Sequence, residues 1–375
     1  MSPLFRNRLA HGRLPRAWRW GFAALLLCDG PPTWADQNVI AENCARSVGS
    51  SSSKMISYSC NALSITAGQT ISLQSLTQGS AMVTVQGDLR VGSGAKINAG
   101  GPPTNLSLVV TGLVDLGADS ALNANLVSSA VVTTGARSIF VGNIQTGSAA
   151  INIGDHNTVT GNLSTVMAGV INIGADTLVT GELSTASGAI NVGDRSTING
   201  SILSSVAGAI TLGKGVTVTG TVATTYHGSD IGAGAITVGS DSEVKKGLTT
   251  NTGAITIASS SKVCGNVVSN DGAITVGADA SVCNSVCTGN SGAITVGAGA
   301  IVGGNVESAM AGAITVGAYA RVAGAVTVRQ AGAKTIVAGA IVGLAMLGNT
   351  CVTQAPVTAT PIKIISRQWR QVYMR

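Results

Sequence analysis

Charge is scarce in this sequence. Asp, Glu, Lys and Arg make up 10% of its 375 residues, against about a quarter in an ordinary soluble protein. Aromatics are scarcer still at 3%, so the stacked rings that sugar-binding surfaces present have few residues to come from. No Cys-x-x-Cys pair occurs, and His11, His156 and His227 stand far apart. Spacing therefore supplies neither a zinc site nor a histidine-based general-base cluster, and no cofactor or metal is expected. The apolar run at 21–28 is too short to cross a bilayer. The formal charge of +6 comes from the ends, because residues 36–360 hold 13 Lys and Arg against 15 Asp and Glu. Such a body has no basic footprint for nucleic acid.

What the sequence has in plenty is glycine, 50 residues of it, and a repeated hexad of the form Gly-Ala-Ile-Thr-Val-Gly. With the first isoleucine as position 0, the motif recurs at Ile151, Ile171, Ile190, Ile210, Ile236, Ile255, Ile274, Ile294 and Ile314. The separations are 19 or 20 residues, with a single 26 between Ile210 and Ile236. Positions +2, +8 and +12 stay aliphatic throughout, as in Val276, Val282 and Val286 of one repeat. A fixed period of this size marks a repeat architecture, and alternation at period two marks half-buried strands. The expectation is an all-β, triangular parallel β-solenoid of about thirteen coils, roughly 60 Å long at one strand spacing per coil. Positions 0 and +2 form one side and +8 the second. The third carries +12 with an inward Ser or Thr at +14. Glycines at +3 and +10 are expected to turn the corners through unusual backbone angles. Lys334 falls in column 0 and reads as the last, capping turn. Two insertions, Gly101-Pro102-Pro103 and the stretch around Tyr226 and His227, read as corner loops.

The ends differ from the body. Arg6, Arg8, Arg13, Arg16 and Arg19 precede the apolar run, and Thr33-Trp34-Ala35 follows it. That is the layout of a secretory signal peptide, so residues 1–35 are expected to be removed and the protein to be secreted or held at a cell surface, with no transmembrane segment afterwards. The expected organisation continues with a cap of irregular strands at 36–88, the solenoid at 89–350 and a tail at 351–375. Six cysteines remain, an even count that points to disulfides in an exported chain. Cys264 and Cys283 share position +9 of adjacent repeats, one strand spacing apart, inside the Cα range of a disulfide. Cys44 with Cys60 would staple the cap, leaving Cys287 with Cys351 as the remainder. The tail gathers Trp369, Arg370 and Tyr373 and reads either as a strap over the last coil or as a docking peptide.

Few residues point to chemistry. Asp155, Asp176, Asp194, Asp241 and Asp279 recur after the corner glycine. The GGxGxD nonapeptide of calcium-binding solenoids is missing, and Asp suits turns for its own backbone bonds. His156 and His227 read as surface turn residues. The most informative surface column is +1, which runs Asn152, Asn172, Asn191, then Thr211, Thr237, Thr256, Thr275, Thr295, Thr315 and Thr335. Beside it, position −1 is alanine from Ala209 to Ala313. A flat Ala/Thr strip of this kind serves strand stability alone, orders water as ice-binding faces do, or docks a partner.

The Cys44/Cys60 cap, the leader and the Gly-Ala-Ile-Thr-Val-Gly coils resemble the secreted repeat regions of bacterial surface proteins associated with mannose-sensitive-haemagglutinin-type pili. More distantly, the coils are similar to bactofilins, polymer-forming β-solenoids. The resemblance covers the solenoid, about two-thirds of the chain. It implies a non-enzymatic, exported structural or adhesion-related part that self-associates or binds a cell-surface or pilus protein. An ice-binding protein using the Ala/Thr face is the alternative, and a polysaccharide-active β-helix enzyme the second.

Overall fold

The computed structural model describes residues 39–48, 55–73, 79–224 and 232–343. The expected signal peptide, the insertion around His227, Cys351 and the tail with Trp369, Arg370 and Tyr373 lie outside the described residues. What is described is a β-solenoid. Three sheets of 15, 14 and 14 strands run its length, and each strand hydrogen-bonds to the equivalent strand one coil earlier and one coil later. Apart from one antiparallel pair at the lower edge of the 15-stranded sheet, these pairings are parallel and in register, for example Ile255↔Ile274, Thr256↔Thr275 and Ile257↔Val276. The assignment of columns to sides holds. Positions 0 and +2 lie in the first sheet, +8 in the second, and +12 with +14 in the third.

The reason is packing. A strand of two or three residues buries too little to stand alone, and each apolar side chain gains roughly 1.5–3 kcal/mol only when its neighbours above and below exclude water. Val263, Val282 and Val302 are consecutive ladder partners and all are 0% exposed. The core is almost wholly aliphatic, with Tyr58 and Phe140 as its buried aromatics among the described residues.

The structure adds one rung to the expected thirteen. The strand Leu63–Ile65 pairs in parallel with Leu89–Val91, so the first sheet holds fourteen rungs and the solenoid begins inside the segment expected to be an irregular cap. The early spacings are longer, with Leu63, Leu89 and Val114 occupying column 0, and that broke the period in the sequence. One source of extra length is the Gly101-Pro102-Pro103 insertion. It leads into a short 3-10 turn at Pro103–Asn105, and the Asn98 amide donates to the Pro102 carbonyl.

Below the first rung, helix α1 (Val39–Asn43) buries Ile40. Strand β1 (Ala45–Val48) then pairs antiparallel with β2 (Met55–Cys60) and forms the lower edge strand of the third sheet. Cys44 and Cys60 form the expected disulfide, with Cα atoms 4.4 Å apart. At the other end Lys334 sits exposed in column 0 of the last described rung, and Ile336 beside it is 43% exposed.

The corners differ from expectation. The left-handed residue is position +5, not +3, and φ is positive there in every described rung, at Asp119, Arg137, His156, Asp176 and Tyr319 as well as at glycines such as Gly215. The glycine at +3 answers a different need. A Cβ on Gly174 would lie 2.5 Å from the Gly154 carbonyl carbon of the coil below, so the coils can approach one strand spacing only if that position has no side chain. Position +10 combines both reasons in the early coils, since Gly161 has φ of 142° and a Cβ there would meet the Gly142 carbonyl oxygen at 1.8 Å.

Candidate functional site

The stacked coils present three outward faces, and their chemistry differs. The second face carries charged and thiol side chains. Glu243 pairs with Lys262 at 3.1 Å on adjacent rungs, and that hydrogen bond raises the Lys262 pKa. Beside them stand Cys264 and Cys283, which are free thiols rather than the expected disulfide. The physical reason lies in the ladder. In-register neighbours on parallel strands point their Cα–Cβ bonds the same way, so their Cβ atoms keep the ~4.8 Å strand spacing, beyond the roughly 3.5–4.5 Å that a disulfide needs. A Cα criterion alone is too permissive. Burial, and then a hydrogen bond to Cys264, push the Cys283 thiol up, which keeps it protonated. Cys287 is disulfide-bonded, while its expected partner Cys351 lies outside the described residues.

The corner between the first and second faces carries a charge ladder at positions +4 and +5. Asp119 binds Arg137 through two hydrogen bonds of 2.8 Å, and Asp176 binds Arg195 at 2.7 and 2.6 Å. These guanidinium contacts hold both carboxyls below the ordinary range. His156 lies 3.6 Å from Asp176 as an exposed turn residue. Asp155 and Asp194 accept the backbone N–H of Ala175 and Lys214 in the next coil at 2.8 Å. These recurring aspartates thus splice coil to coil, and among the described residues no three acids, cysteines or histidines gather as a metal site.

The first face is different. Thr211, Thr237, Thr256, Thr275, Thr295, Thr315 and Thr335 form one unbroken ladder of Cα partners. At one strand spacing per step the row is about 29 Å long. All seven are exposed except the half-buried Thr315, and the flanking alanines are exposed or half-buried. The residue types explain the flatness. Successive Thr rotamers repeat because the backbone repeats, β-branching restricts χ1, and alanine at −1 leaves no side chain to rise above the row. The same column divides in two by chemistry. Below Thr211, Asn172 donates to Asn152 and Asn191 to Asn172, each at 2.8 Å, so the amides are spent on one another. None of the seven Thr hydroxyls has a protein hydrogen-bond partner among the described residues. The upper half of the face therefore offers unengaged donors and acceptors spaced by methyl groups, with no charge.

Sequence reasoning missed two features. Position +6 is a buried corner column, in which the hydroxyls of Ser196, Ser242 and Ser261 donate to the carbonyls of Gly174, Gly213 and Gly239 at 2.7–2.9 Å. The signal was present as a run of small residues at that phase. The second is the outward column of the third face, in which Gln145, Ser184, Val268 and Glu307 are buried while Val127, Leu203 and Thr249 are half-buried and Thr327 is exposed. Nothing in residue type announced it. No protein family, no curated protein and no solved structure matches this chain.

Proposed function

We propose that this protein is an exported, non-enzymatic structural and interaction module of a bacterial cell surface, and that it associates side to side with a second copy of itself through the Ala/Thr face. The observation that carries the reading is the row of unbonded threonine hydroxyls on an uncharged strip. An uncharged strip asks for no complementary charge, and two copies have matching repeats. Size limits the strength. A strip about 29 Å long and one residue pair wide covers roughly 300 Å², well under the ~800 Å² per partner of a standard stable interface. The association is therefore weak and concentration-dependent, gaining strength when many copies align. The signal-peptide layout supports export, and the low charge of the body suits a packed array. Light scattering after size exclusion tests this. Wild type is expected to gain mass as concentration rises, while the triple variant Thr256→Lys/Thr275→Lys/Thr295→Lys stays monomeric. Mass independent of concentration in wild type defeats the reading.

The same unbonded hydroxyls, recurring every ~4.8 Å, favour one second reading, an ice-binding face. An ice-recrystallisation assay separates the two. Inhibition by wild type and its loss in Thr275→Lys supports ice binding, and no inhibition by either protein eliminates it.

A further inference from the structure

The second face carries two thiols that the proposed function does not use. Cys264 and Cys283 each follow an inward valine, Val263 and Val282, both 0% exposed. Alternation along the strand therefore sends both cysteine side chains outward. They stand on adjacent rungs, because Val263 and Val282 are ladder partners and the Cys283 N–H donates to the Val263 carbonyl at 2.8 Å. Both are free, Cys264 half-buried and Cys283 exposed. The next rung has Gly303 at this position, so no side chain of the column roofs Cys283.

The ladder decides what such a pair can hold. A repeated backbone repeats the rotamer, so two equivalent sulfurs stand about one strand spacing, ~4.8 Å, apart. That is too wide for an S–S bond of ~2.05 Å. A cation placed in line between two sulfurs, with metal–sulfur bonds of about 2.3 Å, spans ~4.6 Å. Small rotations about χ1 cover the difference, and they also bring Cys283 into its hydrogen bond with Cys264. The spacing that forbids the disulfide thus suits a linear bridge.

The surroundings select the kind of cation. Glu243 Oε1 lies 4.0 Å from Cys264 Sγ, but Lys262 Nζ holds it at 3.1 Å. Among the described residues no third Cys, His, Asp or Glu completes a cluster. Zinc asks for four ligands and finds two thiols. Soft Cu(I) takes thiolates by preference, and two in line suffice for it. Two thiolates with one monovalent cation leave a single negative charge. Lys262, which interacts electrostatically with both cysteines, and the exposed Lys245, one rung below Cys264 in the same column, offset that charge.

The geometry points to a two-thiolate site for a soft monovalent cation of the Cu(I) class, bridged between Cys264 and Cys283 along the solenoid axis. On binding, two metal–sulfur bonds form, two S–H protons pass to solvent and no electron is transferred. The site goes beyond the proposed function and stands without it.

Anaerobic titration of the full chain with Cu(I) against the chromogenic chelator bicinchoninate tests the site. Wild type is expected to withdraw copper from the chelator through this pair. Cys264→Ser and Cys283→Ser, each leaving one thiol, are expected to lose about 100-fold or more in affinity, as a chelate cut to one arm does. Copper K-edge absorption on the wild-type complex is expected to show two sulfur neighbours at about 2.3 Å. No withdrawal by wild type overturns the proposal, and so do single-serine variants that bind as wild type does. Three or more ligands at the metal overturn the linear bridge. Copper held at wild-type strength by the Cys264→Ser/Cys283→Ser protein assigns the metal elsewhere and overturns it too.

Discussion

From Ser128 to Ser308, one buried hydroxyl per coil closes the corner between the third and first sheets. Thr185 is typical: its Oγ1 donates to the Gly169 carbonyl at 3.1 Å and accepts the Gly188 N–H at 2.9 Å and the Thr165 hydroxyl at 2.8 Å. Serine or threonine is required there because the turn leaves backbone groups facing the core, where water cannot serve them. Thr185→Val keeps the shape and removes the partner, so it is expected to cost about 1–3 kcal/mol in denaturant unfolding. An unchanged midpoint contradicts that role. This column was readable in the sequence as an inward Ser/Thr at +14. The left-handed residue at +5 was not, because the constraint falls on the backbone while the side chain points to solvent. Asp119, Arg137, His156, Ser260 and Tyr319 all occupy it with φ near 58°, and no single residue type flags it.

At the scale of the ladder, identical positions stack, so each column either repeats a compatible residue or alternates charge. Hydrophobic columns were legible for this reason, since Ile, Val and Leu exchange without loss of phase. The Cys264/Cys283 rung was misread because stacking fixes Cβ separation as well as Cα separation. The burial of Gln145, Ser184, Val268 and Glu307 in the outward +13 column was invisible because these residues share no type. Carboxyls on the rungs give the ladder a pH response whose sign differs by site. Asp119 and Asp176 are held below their ordinary values by hydrogen bonds from Arg137 and Arg195. They add stability above the ordinary Asp value near 3.9 that is lost as pH falls through their lowered ones. The pairs are exposed, so salt weakens this contribution. Glu182 is opposite: burial raises its pKa, so stability falls as pH rises from about 4.3 through the raised value. Glu182→Gln is therefore expected to melt above wild type near pH 7 and level with it near pH 3, where both side chains are neutral. A lower melting temperature for the variant near pH 7 contradicts the burial argument.

As a whole molecule the solenoid is close to one-dimensional, each rung touching only the rungs beside it, so stability is a sum over rungs and their interfaces. Deleting 171–189, one complete turn from Ile171 to the residue before Ile190, is expected to leave a cooperatively melting β protein. Deleting the first half of that turn shifts every later side chain out of its column and is expected to abolish the fold, with circular dichroism as the readout for both. The fold was legible because nine clean repeats fix the phase, and the first rung was missed where longer coils stretched it. Function was less legible, since a Thr/Ala column serves strand stability and surface recognition alike. What the structure adds is that the hydroxyls of this row are unengaged. Single-cysteine crosslinking tests the resulting account most directly. Copies carrying Thr275→Cys with Cys264→Ser and Cys283→Ser, and copies keeping only the second-face Cys283 among these three sites, are treated with a short bifunctional maleimide. Side-to-side association through the Ala/Thr face predicts crosslinked dimers from the Thr275→Cys protein and few from the other. Equal yields from the two faces, or none from the first, contradict it.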